Sequence, residues 1–290
     1  MTGDEREARK PMPTARELLS RHGLAPKKSL GQNFLIDPRV QERIVAAAAV
    51  GGSETVVEIG AGLGALTARL VDRARKLIAV ERDPRLAAIL RAELGAAPNL
   101  EIQEGDALAL DLGTIARANG GPLVVVGNLP YVVTSPVIFA TIAAAAGGQV
   151  VDRAIFMVQK EFAQRMLARP GGREYGRLSV MVQHAAEAEI LFHVGAGAFL
   201  PPPAVTSTVV RLRPRASPQG EVQDPQLFAR VVRETFGTRR KMLRRALEPA
   251  FGALRAAAAL QAAGIAGTRR AEELSVEDFA RLANALVPHA

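Results

Sequence analysis

The sequence predicts an α/β protein: a Rossmann-like, doubly wound sheet followed by a small all-helical domain. Three observations carry this. Short apolar runs alternate with segments of helical length from residue 55 to residue 158, the pattern of strand–helix–strand crossovers. A glycine turn, Gly60-Ala61-Gly62-Leu63-Gly64, directly follows the first run. After Leu212 the alternation stops, a stretch rich in Pro, Ser and Gly spans 213–220, and the pattern becomes helical throughout. The expected domains are therefore 1–213 and 214–290.

Taken in order, residues 1–25 read as a polar, partly helical lead-in and 29–35 as a loop. Asp37-Pro38 marks a helix start, Asp as N-cap and Pro in the first turn, and that helix runs to about Val50. Strands are expected at 55–59, 76–80, 100–103, 123–126 and 154–158, with helices at 65–74 and 84–94. Segments 188–193 and 207–212 lack a crossover helix between them and read as an antiparallel hairpin at the sheet edge. Helices follow at 224–236, 239–251, near Leu260 and at 275–286, the last opened by Ser275-Val276-Glu277-Asp278, a capping-box pattern with Asp in place of Glu.

Composition narrows the function classes. There is no cysteine, which excludes disulfides, thiolate zinc sites and cysteine nucleophiles, and the four histidines (His22, His184, His193, His289) have no metal-ligand spacing. No metal is implied. The longest apolar runs, such as 137–146, fall short of the roughly 18 residues that span a bilayer. The N-terminus carries charges of both signs and no apolar signal core, so no membrane association is expected and the cytoplasm is the expected compartment. The formal net charge is +8, and residues 205–255 hold eleven Arg/Lys against four Asp/Glu. A concentrated excess of this kind suits a polyanion such as RNA, although arginine-rich faces are also often only solvated.

The motifs are more specific. In Glu58-Ile59-Gly60-Ala61-Gly62-Leu63-Gly64, Gly60 permits the tight turn and Gly62 lets a ligand approach the backbone. The same glycines would fit a dinucleotide site. Gly-x-Gly-x-Gly is also the spacing of S-adenosylmethionine (SAM) sites, and Glu58 stands where it can receive the amino end of a methionine-like ligand through water. Glu81 closes the second strand, 21 residues after Gly60, where a carboxylate accepts both ribose hydroxyls. Asp106 ends the third, placed to accept from an adenine amino group. Each has a plainer alternative: Glu81 as a surface ion pair with Arg82, Asp106 as a helix cap.

The fourth strand decides between them. It ends in Gly127-Asn128-Leu129-Pro130-Tyr131. The Asn128 side-chain oxygen and the Leu129 carbonyl can each accept one N–H of a primary amine on a flat ring. Pro130 fixes φ and withholds a donor, and Tyr131 offers a stacking face. Alone, the string is also a Pro-stiffened loop with a core tyrosine. A hydride-transfer enzyme has no use for it; beside a SAM turn it points to methylation of the exocyclic amine of adenine.

With these residues in view, the chain resembles the small-subunit (16S-type) ribosomal RNA adenine dimethyltransferases over residues 28–286. The matching blocks include Gly31-Gln32-Asn33-Phe34-Leu35, Gln159-Lys160-Glu161, Tyr175-Gly176-Arg177-Leu178-Ser179, Phe199-Leu200-Pro201-Pro202-Pro203, Ser207-Thr208-Val209-Val210 and Phe236-Gly237-Thr238-Arg239-Arg240-Lys241. The resemblance implies a SAM-dependent methyltransferase sheet and dimethylation of two adjacent adenosines near the 3′ end of 16S rRNA. It also implies the small ribosomal subunit as partner, a role in its biogenesis, and SAM contacts at Asn33, Leu35, Gly60, Glu81, Asp106 and Asn128, with Gly62 in the same turn. One departure is that Val132-Val133-Thr134 stands where the family usually continues Asn-Ile-Ser. Thr134 can replace the serine hydroxyl, whereas Val132 cannot hydrogen-bond through its side chain.

On this reading, Tyr131 and Phe199 flank the target base, Phe199 being otherwise an ordinary core residue, and no side chain need act as general base. Arg239, Arg240, Lys241, Arg244 and Arg245 are expected on one side of a helix, as phosphate contacts. Nothing demands a dimer, and a monomer is expected. Three rivals stand beside it: a large-subunit rRNA methyltransferase of the antibiotic-resistance type, an assembly factor acting by binding, and a nicotinamide-dependent oxidoreductase that uses the glycines only.

Overall fold

A computed structural model describes residues 12–27, 31–145, 150–238 and 240–288. Thr14 caps α1 (Ala15–Arg21) in a reciprocal box with Glu17. A two-residue strand, β1 (Phe34–Leu35), precedes α2 (Pro38–Ala48), whose first amides are held by Asp37 Oδ1 (2.8 Å from Arg39 N), as an Asp-Pro pair dictates. Then come β2 (Thr55–Ile59), α3 (Thr67–Leu70), β3 (Lys76–Glu81), α4 (Pro84–Leu94), β4 (Leu100–Glu104), α5 (Leu112–Ala118), β5 (Leu123–Asn128), α6 (Thr134–Ala144) and β6 (Val151–Gln159). The helix expected over 65–74 contracts to a single turn. Gly64 sits in the left-handed region (φ +84°), and Arg75 N is already taken by Glu54 O at 2.9 Å.

After α7 (Lys160–Met166) and α8 (Arg177–Ala185) the chain forms β7 (Ala186–Val194), β8 (Phe199–Leu200) and β9 (Ser207–Pro214). The main sheet has the order β4–β3–β2–β5–β6–β9–β7, parallel from β4 to β6, with β9 antiparallel to both its neighbours. The expected edge hairpin is therefore an antiparallel pair, but not a tight one: between its strands, β8 leaves to pair with β1. Strand residues alternate between two covered faces. Val57, Val125 and Phe156 pack with Val137 and Ile138 of α6, while Val56, Val124 and Ile155 pack with Ile44 and Val45 of α2. Two buried faces explain why these strands read as nearly continuous apolar runs. Order reverses between β2 and β5, and the crevice outside their carboxyl ends is where such sheets bind ligands.

Four helices complete the chain: α9 (Pro225–Gly237), α10 (Leu243–Phe251), α11 (Ala253–Ala262) and α12 (Val276–Ala285). Asp224 Oδ1 caps α9, and Ser275 and Asp278 form the expected box at α12 (3.1 Å each way). Phe228, Leu247, Leu260 and Phe279 share one core with Tyr175 and Val180, so these helices are seated on α8. The 213–220 stretch is pinned to the same helix, Arg215 N bonding Ala185 O and Gln219 N bonding His184 O. Among the described residues no helix is long and apolar enough to cross a membrane.

The expected start of the second helix, at 239, is corrected. Lys241 N closes a turn on Thr238 O, Met242 is extended (φ −64°, ψ 151°), and α10 begins at Leu243. Its first amides bond carbonyls of a distant loop, Leu243 N to Arg269 O (2.8 Å) and Arg244 N to Gly267 O (3.1 Å). Tertiary partners for those donors replace the helical turn that the Arg-Lys run would favour.

Candidate active site

A cavity of about 1030 Å³ lies at the carboxyl ends of the central strands, and every residue expected to contact cofactor or target amine lines it. The glycine turn forms its floor. Gly60 (φ +74°) and Gly62 (φ +58°) are both left-handed, with Gly60 N and Ala61 N bonded to Val80 O. A side chain would strain either position. Behind the turn, Glu81 accepts Gly62 N on Oε2 and Asp83 N on Oε1, both at 2.8 Å. Burial raises its pKa and those two amides pull it back. Each oxygen keeps a second lone pair for a hydroxyl donor. Glu81 is thus no surface ion pair; Arg82 instead lies 3.7 Å from the Asp106 carboxylate. Asp106 does cap a single turn (Leu108 N to Oδ1, 3.0 Å) and also faces the cavity.

Glu58 reaches the same cavity from the middle of the sheet. It is buried, and its Oε2 and the neighbouring Thr67 Oγ1 complete no hydrogen bond among the described residues. Desolvation pushes its carboxyl up to about 8; contact with Thr67 pulls partly the other way, and the Glu81 charge adds to the rise. A buried acid with one unpartnered oxygen, beside two left-handed glycines and with Glu81 across the turn, fits a ligand that bears an ammonium group and a ribose.

The Gly127–Tyr131 turn closes the opposite wall. Gly127 lets β5 pass close to β2, since a Cβ there would lie 2.8 Å from Ile59 O. Asn128 Nδ2 donates to Asn33 O at 3.2 Å. Because a carbonyl only accepts, the amide group must face it, and Oδ1 is the end left for an incoming N–H. Leu129 N bonds Met157 O (3.2 Å), and Val133 N and Thr134 Oγ1 both bond Pro130 O. The Thr134 hydroxyl is thus spent on the turn itself. Val132 is 80 % exposed at the rim of the cavity. Tyr131 Oη is 3.4 Å from Ser207 Oγ, which anchors the ring by its tip. Phe199 is both core and wall: buried, opposite Leu35 in the β1–β8 ladder, and lining the cavity.

Two residues of the site escaped sequence reasoning. Gln32 Nε2 donates to Asp83 Oδ2 (3.1 Å), joining the Asn33 turn to the end of β3. Asp83-Pro84 carries the same capping signature as Asp37-Pro38, so the cap was legible, but its partnership with Gln32 had no signal. Of the cations, Arg240, Lys241 and Arg244 are exposed, Arg245 is paired with Glu248 (3.2 Å), and Arg239 lies outside the described residues. Arg240 and Lys241 precede α10, so this set does not share one helical side.

The family described as ribosomal RNA adenine dimethylase matches residues 23–287. Ribosomal RNA small subunit methyltransferase A of Anaeromyxobacter dehalogenans is 43 % identical, covering 94 % of this chain and 98 % of its own. The protein of that name from Methylobacterium radiotolerans is 46 % identical, over 94 % and 92 %. Among solved structures, the 23S rRNA methyltransferase ErmE is 32 % identical with a TM-score of 0.64 over 88 % of this chain and 99 % of that one. A dimethyladenosine transferase from Plasmodium falciparum is 26 % identical with a TM-score of 0.68, over 86 % and 95 %. A match over most of the length, agreeing with the glycine and amine turns, means that this chain belongs to the ribosomal RNA adenine dimethylase family.

Proposed function

We propose that the protein transfers methyl groups from SAM to the exocyclic amines of two adjacent adenosines near the 3′ end of small-subunit rRNA, in the course of small-subunit biogenesis in the cytoplasm. The observation that carries this is the Asn128 amide: its Nδ2 is committed to Asn33 O, so an acceptor remains beside the glycine turn for one N–H of a primary amine. Gly60, Gly62, Glu81, Asp106, Asn33, Leu35 and Asn128 hold the cofactor, with Glu58 toward its amino end. When bound, SAM supplies an electrophilic methyl group on a sulfonium centre.

The chain's own work is geometric. An adenine amine is a poor nucleophile because its lone pair is delocalised into the ring. Asn128 Oδ1 and the Leu129 carbonyl accept its two N–H groups and favour a pyramidal nitrogen, with the lone pair aimed across the cavity. Tyr131 and Phe199 sandwich the ring, while Pro130 withholds a competing donor. The base must leave its stack to enter, as in base flipping or capture of a splayed loop base. After the first methylation one N–H remains to be held. In each transfer the newly methylated nitrogen is cationic and its proton acidic enough to pass to water, so the residues need only position the amine. Arg240, Lys241 and Arg244 contact phosphates, and the protein acts as a monomer.

The test is transfer of labelled methyl from SAM to unmethylated small subunits, with products mapped by mass spectrometry. Dimethyladenosine is expected at two adjacent positions near the 3′ end, and Asn128→Ala should lower the rate by about 100-fold or more. Label on large-subunit RNA instead, or none with SAM bound, would overturn the proposal.

A further inference from the structure

The Asn128 amide can serve an amine only one way round. Turned by half a rotation, it would offer a donor to a donor. Its orientation is set by the Asn33 carbonyl, 95 residues earlier in the chain, so whatever holds that carbonyl sets the grip. On its C-terminal side, Asn33 is continuous with β1, which is laddered to β8. On its N-terminal side stands Gln32, and both ends of the Gln32 side chain are engaged: Oε1 accepts Lys27 N (2.8 Å) and Nε2 donates to Asp83 Oδ2 (3.1 Å).

Asp83 is a rigid partner. Its side chain is only 1 % exposed, Oδ1 caps α4 through Arg85 N (3.2 Å), and Arg85 Nη2 and Lys27 Nζ lie 2.7 and 3.8 Å from Oδ2. Its own amide is bound by Glu81, which also holds Gly62 N. One chain of hydrogen bonds therefore runs from the glycine turn through Glu81, Asp83 and Gln32 to the turn that aims Asn128.

We propose that Gln32 is a positioning residue for methyl transfer: clamped between Lys27 and Asp83, it fixes the Asn33 carbonyl and through it the acceptor end of Asn128. This rests on Asn128 gripping the target amine, as proposed above. Gln32 lines the edge of the cavity, but in this role it acts through Asn33, so its loss should appear chiefly in the rate of the bound complex.

The pairing can be reversed chemically. Gln32→Glu sets a carboxylate against Asp83 and breaks the clamp. Adding Asp83→Asn restores one N–H···O bond with donor and acceptor exchanged, while the new side chains still accept from Lys27 N and cap α4; Arg85 Nη2 loses its Oδ2 acceptor there, and Arg85 stays held through Nε to the oxygen that remains. Single-turnover transfer to unmethylated small subunits at saturating SAM, SAM affinity by calorimetry, and thermal midpoints are measured together. Gln32→Glu and Gln32→Ala are each expected to slow transfer about 10- to 100-fold, with a smaller fold loss in SAM affinity because Asn33 and Asn128 also hold the cofactor, and the paired exchange to recover part of the Gln32→Glu loss. In an Asn128→Ala background, Gln32→Ala should cost nothing further, because the two act as a unit. Gln32→Ala, which introduces no charge, serves if Gln32→Glu does not fold. Equal losses in both backgrounds, a loss confined to SAM affinity, or no recovery in the exchange would overturn the inference while leaving the proposed reaction intact. A wild-type protein that transfers no methyl to small subunits would overturn both.

Discussion

Glu58 is a carboxylic acid with no room for its charge. Folded, it keeps its proton to about pH 8; unfolded, it releases it near the ordinary value of 4.5. Between those limits the folded state binds the extra proton, so each rise in pH favours unfolding. The stability contributed is complete below about 4.5 and lost as pH climbs through 8. The ligand-free protein should therefore melt at progressively lower temperature from about pH 5 to about pH 8, and Glu58→Gln should flatten that decline. Parallel melting curves for the two proteins across this range would show that Glu58 does not titrate this way. Residue roles of this kind were partly legible: Glu58, Glu81 and Asp106 each stand at or near a strand end, and strand ends converge in a doubly wound sheet. Whether a given acid is a ligand group, a cap or both depends on what surrounds it. Asp106 proved to be a cap at the cavity wall, and Glu81 is fastened to two backbone amides.

Elements depend on backbone spacing as much as on propensity. Gly127 sits inside β5, where glycine ordinarily weakens a strand, yet a Cβ there would meet Ile59 O at 2.8 Å and Leu129 Cδ2 at 3.0 Å. Gly127→Ala should cost about 1–3 kcal/mol in urea unfolding and disturb transfer by shifting Asn128. An unchanged midpoint would mean that β5 can move away from β2. At the other end of the chain, α10 shows the limit of local reasoning. Arg and Lys favour helix, and the sequence around 239–242 has no breaker, but the donors that would extend the helix are satisfied by the Gly267 and Arg269 carbonyls. Caps are local and so legible: the two read from the sequence, Asp37 and Ser275, hold amides two or three residues ahead, and Asp83 and Asp224, each before a proline, do the same.

Across the molecule, Tyr175 joins the sheet side to the C-terminal helices. It is fully buried, edge-on to Phe236, and its hydroxyl has no hydrogen-bond partner among the described residues; burial, with Glu277 and Asp278 nearby, raises its pKa. Tyr175→Phe should leave stability unchanged or raise it, because a buried unpaired hydroxyl costs about 1–3 kcal/mol. Tyr175→Ala should cost about 3–5 kcal/mol. Denaturant midpoints decide, and a clear loss in the Phe variant would reveal a partner for the hydroxyl. For RNA, replacing Arg240, Lys241 and Arg244 together by Ala should weaken binding to small subunits. It should also lower the slope of log affinity against log salt by about 0.7–0.9 for each phosphate that is no longer neutralised. An unaltered slope would remove these cations from the interface.

Periodicity, caps and motif spacing, which are properties of neighbouring residues, determined the parallel strands, the helix starts at Pro38, Pro84, Pro225 and Val276, the glycine turn and the turn at Gly127–Tyr131. The tertiary structure decided what those neighbours meet. It set Asn33 O against Asn128 and Gln32 against Asp83, paired Phe199 with Leu35, and began α10 at Leu243. Each of these pairings joins residues far apart in the chain. Their geometry follows from how strands stack and layers pack, which no local stretch of sequence encodes.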